Sequence, residues 1–267
     1  MAHVIDALVL EQEKITPTHY RLRLSAPAIA AVAQPGQFML VSCGTPLDPL
    51  LRRPFSIFTV EREAGAVTLF YRIAGRGTAI LTALRAGSEV NIMGPLGRGF
   101  SLPAPDQPAL LVAGGMGVAP LYFLAQELTR HGCATQVFYG TPTANQLFFA
   151  PELSQDGRQL QLATDDGSAG RKGTVTALLA DYLAALPPDV LTQARVFACG
   201  PQGMLRHLCE LLKQVDVSGE ISLEERMACG VGACLACVCK TKSATAWQYS
   251  RTCVDGPVFP VAEVIWD

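Results

Sequence analysis

Cys229, Cys234 and Cys237 follow one another as C-x4-C-x2-C inside the run Glu224-Glu225-Arg226-Met227-Ala228-Cys229-Gly230-Val231-Gly232-Ala233-Cys234-Leu235-Ala236-Cys237-Val238-Cys239, and Cys253 comes after 15 further residues beyond Cys237. Three thiols from one short loop and a fourth from a later strand or turn is the ligand spacing of a [2Fe–2S] cluster. Such a loop must curl tightly around an inorganic core, and Gly230 and Gly232 permit the curl. Small Ala228, Ala233 and Ala236 leave backbone N–H groups room to approach the sulfurs, contacts that help set a cluster's potential.

Zinc and disulfides are competing uses of the same thiols. Zinc sites commonly present two separated C-x2-C knuckles, which one crowded loop and a distant cysteine do not supply. Disulfides fit poorly with an odd total of 9 cysteines and with the absence of a signal-peptide pattern. Cys239 is a further candidate ligand that the spacing does not need. Cys43, Cys133, Cys199 and Cys209 read as small buried apolar residues.

With 267 residues and 49% hydrophobic content, the chain can bury two modest cores and carry a small appendage. A net charge of −2 gives no basic footprint for nucleic acid. The uncharged stretch Ala109 to Ala125 contains Gly114, Gly115, Gly117 and Pro120, which suits a strand, turn and helix better than a membrane span. No membrane association is expected, and thiols that must stay reduced make the cytoplasm the expected location.

From residue 1 to about 102, short strands are expected at Val4–Leu10, Tyr20–Ser25, Phe38–Ser42, Phe55–Val60, Ala66–Arg72 and Glu89–Met93, with a brief helix at Thr78–Leu84. Turn chemistry at Gln34-Pro35-Gly36-Gln37 and Glu63-Ala64-Gly65-Ala66 closes these strands into an antiparallel barrel. Residues 103–216 alternate strands (Ala109–Ala113, Thr135–Tyr139, Leu160–Thr164, Arg195–Cys199) with helices (Leu121–Arg130, Thr174–Leu186, Gln202–Gln214), the pattern of an α/β domain with a parallel sheet. Residues 217–267 have little core material and are expected to form a small iron-sulfur domain. There a strand near Glu220–Leu223 leads into the cysteine loop, and Trp247, Tyr249, Val258 and Phe259 pack beneath the cluster.

Two segments of the barrel suit an anion and a planar ring. Arg53-Pro54-Phe55-Ser56 opens a strand, and Tyr71-Arg72-Ile73-Ala74-Gly75-Arg76-Gly77-Thr78 brings glycines to the start of a helix. In the α/β half, Ala113-Gly114-Gly115-Met116-Gly117-Val118-Ala119-Pro120 joins a strand to a helix, as does Cys199-Gly200-Pro201-Gln202-Gly203-Met204. Both belong at the carboxyl edge of the sheet, where ligands collect. Asp165 and Asp166 belong to that edge too, either as a cofactor contact or as a solvated turn. Arg171 and Lys172 add two cations able to meet a 2′-phosphate, which leaves NADP(H) open beside NAD(H).

Arg53-Pro54-Phe55-Ser56, Gly77-Thr78, Gly94-Pro95-Leu96-Gly97, the Gly-Gly-x-Gly-x-Ala-Pro turn and Cys199-Gly200-Pro201 occur in the order seen in ferredoxin-NADP reductase-like flavoproteins. With the cysteine run and Asp255-Gly256-Pro257-Val258-Phe259, the whole chain most resembles the electron-transfer subunits of type 1B dihydroorotate dehydrogenase. The resemblance implies that Arg53, Pro54, Phe55, Ser56, Tyr71, Arg72, Ile73, Gly77 and Thr78 contact FAD. It implies that Gly115, Gly117, Pro120, Cys199, Gly200 and Met204 border NAD(H), and that Cys229, Cys234, Cys237 and Cys253 ligate the cluster.

It further implies a separate FMN-containing dihydroorotate dehydrogenase catalytic subunit as partner, in a heterotetramer of two plus two serving pyrimidine (UMP) biosynthesis. Reducing equivalents from dihydroorotate would pass from that FMN through the cluster to FAD and leave as hydride on NAD+. Such transfers need no side-chain acid or base, and none of His3, His19, His131 and His207 is assigned one. Subunits of the same layout serve sulfide dehydrogenase, ferredoxin:NADP oxidoreductase, sulfite reductase and hydrogenase complexes. Two readings of other kinds also stand: a redox-sensing cluster module, and a two-domain reductase with a zinc-stapled tail.

Overall fold

A computed structural model describes residues 2–45, 48–244 and 246–266. Two compact units divide the chain, and neither is one continuous segment. The first takes Met1–Gly99, Glu225–Val238 and Arg251–Pro257; the second takes Phe100–Glu224, Cys239–Ser250 and Val258–Asp267.

In the first unit, strands β1 (His3–Lys14), β2 (His19–Ser25), β3 (Phe38–Val41), β4 (Arg53–Glu61), β5 (Ala66–Arg72) and β6 (Glu89–Leu96) close into an antiparallel barrel of order β1-β2-β5-β4-β3-β6. Along much of β1, burial alternates residue by residue, as the period of a half-buried strand requires. Inward-facing Leu22, Leu24, Ile57, Leu69 and Ile92 fill the interior. Short helices α1 (Pro27–Ala30) and α2 (Arg76–Leu81) lie between strands. The expected strands and the helix all form here, most of them running one to four residues longer or beginning slightly earlier than the apolar pattern suggests.

The second unit is built on a mainly parallel sheet. Its strands are β7 (Ala109–Gly114), β8 (Thr135–Thr141), β9 (Gln159–Thr164), β10 (Arg171–Lys172), β11 (Arg195–Cys199) and β12 (Ser218–Ser222), joined through helices α3 (Val118–Arg130), α4 (Ala150–Leu153), α5 (Val175–Ala185), α6 (Pro188–Gln193) and α7 (Gln202–Gln214). Every residue of β7 and β8 is buried, the mark of parallel strands covered on both faces. Helix α7 sinks Leu205, Leu208 and Leu212 into the core and keeps Arg206 and Glu210 outside, a clean 3.6-residue stripe. A hairpin of β13 (Val238–Lys242) and β14 (Trp247–Arg251) precedes β15 (Val258–Pro260), which pairs antiparallel with β12 at the sheet edge in the order β10-β9-β8-β7-β11-β12-β15.

Residues 217–267 are therefore shared between the two units. β12 and β15 complete the parallel sheet, where Ile221, Val258 and Phe259 are buried, and the cysteine-bearing segments belong with the barrel. Trp247 and Tyr249 do not pack beneath the thiols as expected. They lie edge to face, 5.2 Å apart, on the hairpin and are 50% and 60% exposed. The physical reason is that the barrel already supplies the apolar floor that the cysteine loop needs. Among the described residues, no helix is long and apolar enough to cross a membrane.

Candidate functional site

The cysteine loop rests on the barrel. Cys237 and Cys253 are almost fully buried in one apolar cluster with Phe38, Leu40 and Leu96, flanked by Met93 and Met227. A side chain at Gly230 would collide with this floor, since its Cβ would lie 2.5 Å from Leu40 Cδ1; φ is +71° there. Leu235 also takes a left-handed backbone, φ 58°, so the loop bends at a residue other than glycine between two of its thiols. The loop apex faces outward, with Val231, Cys234 and Leu235 exposed.

The thiols fall into two neighbouring pairs, Cys229 beside Cys234 and Cys237 beside Cys253, with Cys229 also within electrostatic reach of Cys253. Among the described residues, no three His, Cys, Asp or Glu side chains converge as they would on a single ion. Two pairs suit a core of two irons, each taking two thiolates, better than the tetrahedral zinc site weighed from the sequence. The N–H groups of Val231, 3.5 Å from the sulfur, and of Cys234 hold the Cys229 thiol down to about 6. Burial, with the neighbouring Cys237, pushes Cys253 up to about 12. So reluctant a thiol becomes a ligand when a cation takes its proton's place. Thr252, fully buried and adjacent to Cys253 in sequence, has a hydroxyl with no hydrogen-bond partner among the described residues. Cys239 packs instead against the α/β core.

On the other side of β3 lies β4, with Val41 opposite Arg53, Leu40 opposite Pro54, Met39 opposite Phe55 and Phe38 opposite Ser56. Arg53 to Ser56 are half-buried, as a strand lining a cleft would be. Gly77 makes room for the Arg53 side chain: a Cβ there would lie 3.1 Å from Arg53 Nε. The guanidinium is steadied by donating to the Leu51 carbonyl at 2.7 Å. Thr78 is committed locally, its hydroxyl accepting from Ala74 N (2.8 Å) and Gly75 N (3.1 Å), so it shapes the loop before α2. Tyr71 is buried, edge to face with Phe55 at 5.5 Å and stacked on Tyr20 at 5.7 Å. Gln12 donates to its hydroxyl at 2.7 Å, and burial pushes the phenol up to about 12. Tyr71 is thus a backing for Phe55, while Arg72 at the strand end is exposed and Ile73 half-buried. Tyr71→Phe is expected to cost about 1 kcal/mol through the lost Gln12 bond; a denaturant melt checks it.

In the second unit the chain runs from β7 outward to β8 and β9, then returns to β11 on the opposite side of β7, which makes the β7/β11 boundary the topological switch point. Both glycine turns lie there. A Cβ on Gly117 would lie 2.0 Å from the Cys199 carbonyl oxygen, and one on Gly114 2.5 Å from Met204 Sδ. Gly200 presses on Met204 as well, and Pro120 and Cys199 are buried. These residues pack the two turns together. Gly115 differs, because with φ +51° it has nothing within 4 Å of its would-be Cβ. Its carbonyl accepts from Tyr139 Oη at 3.2 Å, a hydroxyl that also bonds the Gln146 carbonyl at 3.1 Å. Tyr139 was not among the expected site residues, because a tyrosine in a strand that also carries Thr135, Gln136 and Thr141 gives no local sign of the carbonyls it bonds.

Asp166 serves a turn, with Oδ1 accepting from Ser168 N (2.9 Å) and Ser168 Oγ (2.6 Å), and Ser168 Oγ accepting from Ala144 N. These bonds, the Ser168 hydroxyl foremost, lower the Asp166 carboxyl below its usual range. Arg171 pairs with Asp181 at 2.5 Å and donates to the Ala177 carbonyl. One of the two cations weighed for a 2′-phosphate is therefore already neutralised.

Comparison with known proteins gives two family matches: the iron-sulfur cluster binding domain of dihydroorotate dehydrogenase B over residues 224–265, and the oxidoreductase NAD-binding domain over 111–210. The dihydroorotate dehydrogenase B (NAD(+)) electron transfer subunit of Desulforamulus reducens is 43% identical over 267 residues, covering 100% of both chains. That of Geobacillus kaustophilus is 44% identical over 259 residues, 96% of each. The chain belongs to the dihydroorotate dehydrogenase B electron transfer subunit family.

Family membership makes it the electron-transfer component of a flavin-type NAD oxidoreductase. A solved NADH-dependent reduced ferredoxin-NADP oxidoreductase structure matches with a TM-score of 0.83 and 27% identity, covering 97% of this chain and 90% of that one. A ferredoxin NADP+ reductase from Neisseria gonorrhoeae shares the fold at a TM-score of 0.66 and 17% identity, covering 79% and 91%. Full-length identity above 40% with the dihydroorotate dehydrogenase B subunits separates this chain from the sibling complexes weighed from the sequence.

Proposed function

We propose that the chain carries reducing equivalents between NAD(H) and a dihydroorotate dehydrogenase catalytic subunit, using FAD on the barrel and a [2Fe–2S] cluster on the cysteine loop. When bound, FAD exchanges two electrons as hydride with NAD(H) and single electrons with the cluster. One observation carries the reading. Phe38 and Leu40 of β3 touch the buried thiols on one side and pair directly with Ser56 and Pro54 of β4 on the other. A single strand, about 5 Å wide, lies between the two proposed sites, and so short a path suits electron transfer.

The chain's own residues bind and orient. Arg53 supplies a charge for the flavin diphosphate, Phe55 a face for its ring, Ser56 a hydroxyl, and Pro54 a rigid strand start. Arg72 and Ile73 line the strand end, and Tyr71, Gly77 and Thr78 fix those neighbours from behind. Cys229, Cys234, Cys237 and Cys253 hold the irons. Gly115 lets the backbone approach the dinucleotide, with Gly117, Pro120, Cys199, Gly200 and Met204 shaping the turn beneath it. We place the partner's FMN opposite the exposed apex of the cysteine loop, in an assembly of two subunits of each kind within the reducing cytoplasm.

Arg53→Ala is expected to lower flavin occupancy of the purified protein severalfold by removing a charge-assisted contact. The flavin-to-protein absorbance ratio measures it, and full occupancy would remove Arg53 from the site. The function itself is tested by copurifying the chain with its partner and assaying NAD+-dependent orotate formation from dihydroorotate. Absence of that activity in an iron- and flavin-replete complex would overturn the proposal.

A further inference from the structure

We propose that the Arg251–Asp255 ion pair is a positioning and charge-setting device for the cysteine turn, one that fixes Cys253 and biases a bound cluster's reduction potential upward. The inference rests on the cluster reading above. Arg251 ends β14, and five residues from Arg251 to Asp255 form the turn that has Cys253 at its centre. Asp255 grips Arg251 three times: Oδ2 accepts from Arg251 N at 2.8 Å and from Nε at 3.0 Å, and Oδ1 accepts from Nη2 at 3.1 Å. The Arg251 carbonyl in return accepts from Val254 N (3.0 Å) and Asp255 N (2.8 Å). The Thr252 N–H donates to the Cys237 carbonyl at 2.9 Å, tying the turn to the segment bearing its partner thiol.

The remaining guanidinium nitrogen points elsewhere. A Cβ on Gly232 would lie 3.0 Å from Arg251 Nη1, so the cation lies directly against a glycine of the cysteine loop. That same Gly232 lies three residues past Cys229 and two before Cys234, inside the cysteine loop. Arg251 therefore backs the loop that carries Cys229 and Cys234 while its own turn carries Cys253. With side chains 40% and 37% exposed, the pair adds little stability, which leaves the geometry better explained by what it does to the thiols. One-electron reduction adds a negative charge to a cluster, and a cation held at a fixed place beside it stabilises the reduced form more than the oxidised.

The test is a potentiometric titration followed by electron paramagnetic resonance on anaerobically purified, full-length wild type, Arg251→Gln, Arg251→Lys and Asp255→Asn, after iron and sulfide have been counted in each. A more negative midpoint in Arg251→Gln, recovery toward wild type in Arg251→Lys and a more positive midpoint in Asp255→Asn support the assignment. A purely structural staple would move Arg251→Gln and Asp255→Asn in the same direction, and that result, or an unchanged midpoint in Arg251→Gln, overturns it. Should Arg251→Gln fail to hold iron, the Lys and Asn variants decide: Asp255→Asn at or below the wild-type midpoint overturns the proposal. Wild type without iron would instead sink the cluster reading on which it stands.

Discussion

Cys234→Ser is expected to give a protein that keeps its flavin and loses nearly all of its iron and acid-labile sulfide. Cys234 is exposed at the loop apex, whereas Cys237 and Cys253 are part of the barrel's apolar cluster. A serine at position 234 therefore removes one thiolate without opening a cavity or burying a new polar group, so the fold and the Arg53–Ser56 strand should survive. Iron and sulfide analysis beside the flavin spectrum gives the readout, and NADH:dye reductase activity should persist while transfer to the partner falls to background. Unchanged iron and sulfide would remove Cys234 from the ligand set. Zinc in place of iron in the wild-type protein would return the loop to the stapled-tail reading.

The second large effect is expected from a single methyl group. Gly117→Ala would push a Cβ to 2.0 Å from the Cys199 carbonyl oxygen and 2.3 Å from its carbon, and both are backbone atoms of a buried strand that cannot swing aside. Prising β7 from β11 at the switch point is expected to cost about 3 kcal/mol or more, visible as a lower thermal midpoint and poor recovery of soluble protein. Gly115→Ala, two residues away, is the control. Its Cβ meets nothing, so only the left-handed backbone resists, at about 1 kcal/mol. That variant should fold and keep flavin but bind NADH more weakly, because the methyl group occupies the space left open for the dinucleotide. A wild-type Michaelis constant for NADH in Gly115→Ala would remove Gly115 from the dinucleotide site.

The architecture was legible where one physical cause dominates. Turn residues at Pro35-Gly36 and Ala64-Gly65 and the two periodicities, alternation in β1 and the leucine stripe of α7, mark the elements closely. The cysteine spacing marks the metal loop. What stayed hidden depends on partners far apart in sequence. Nothing local to Phe38 or Leu40 indicates that they floor thiols some 200 residues onward. Nothing local to Gly117 distinguishes a packing glycine from a ligand-facing one, and only the position of Cys199 does so. Trp247 and Tyr249 were misplaced for the related reason that aromatic content alone does not say which face of a hairpin is covered.

The order in which the chain visits its two units bears on biogenesis. A ribosome that has released the first 99 residues has delivered every barrel strand, yet Cys229 to Cys237 and then Cys253 emerge only after all but the last strand of the nucleotide-binding sheet, and the chain crosses between units again before it ends. The nascent barrel thus leaves Phe38, Leu40 and Leu96 uncovered until synthesis is nearly complete, an interval in which exposed apolar surface invites aggregation. Closure of that surface is therefore a late event set by the protein's own packing, so a chain truncated before Cys229 should aggregate on expression even though it contains every barrel strand.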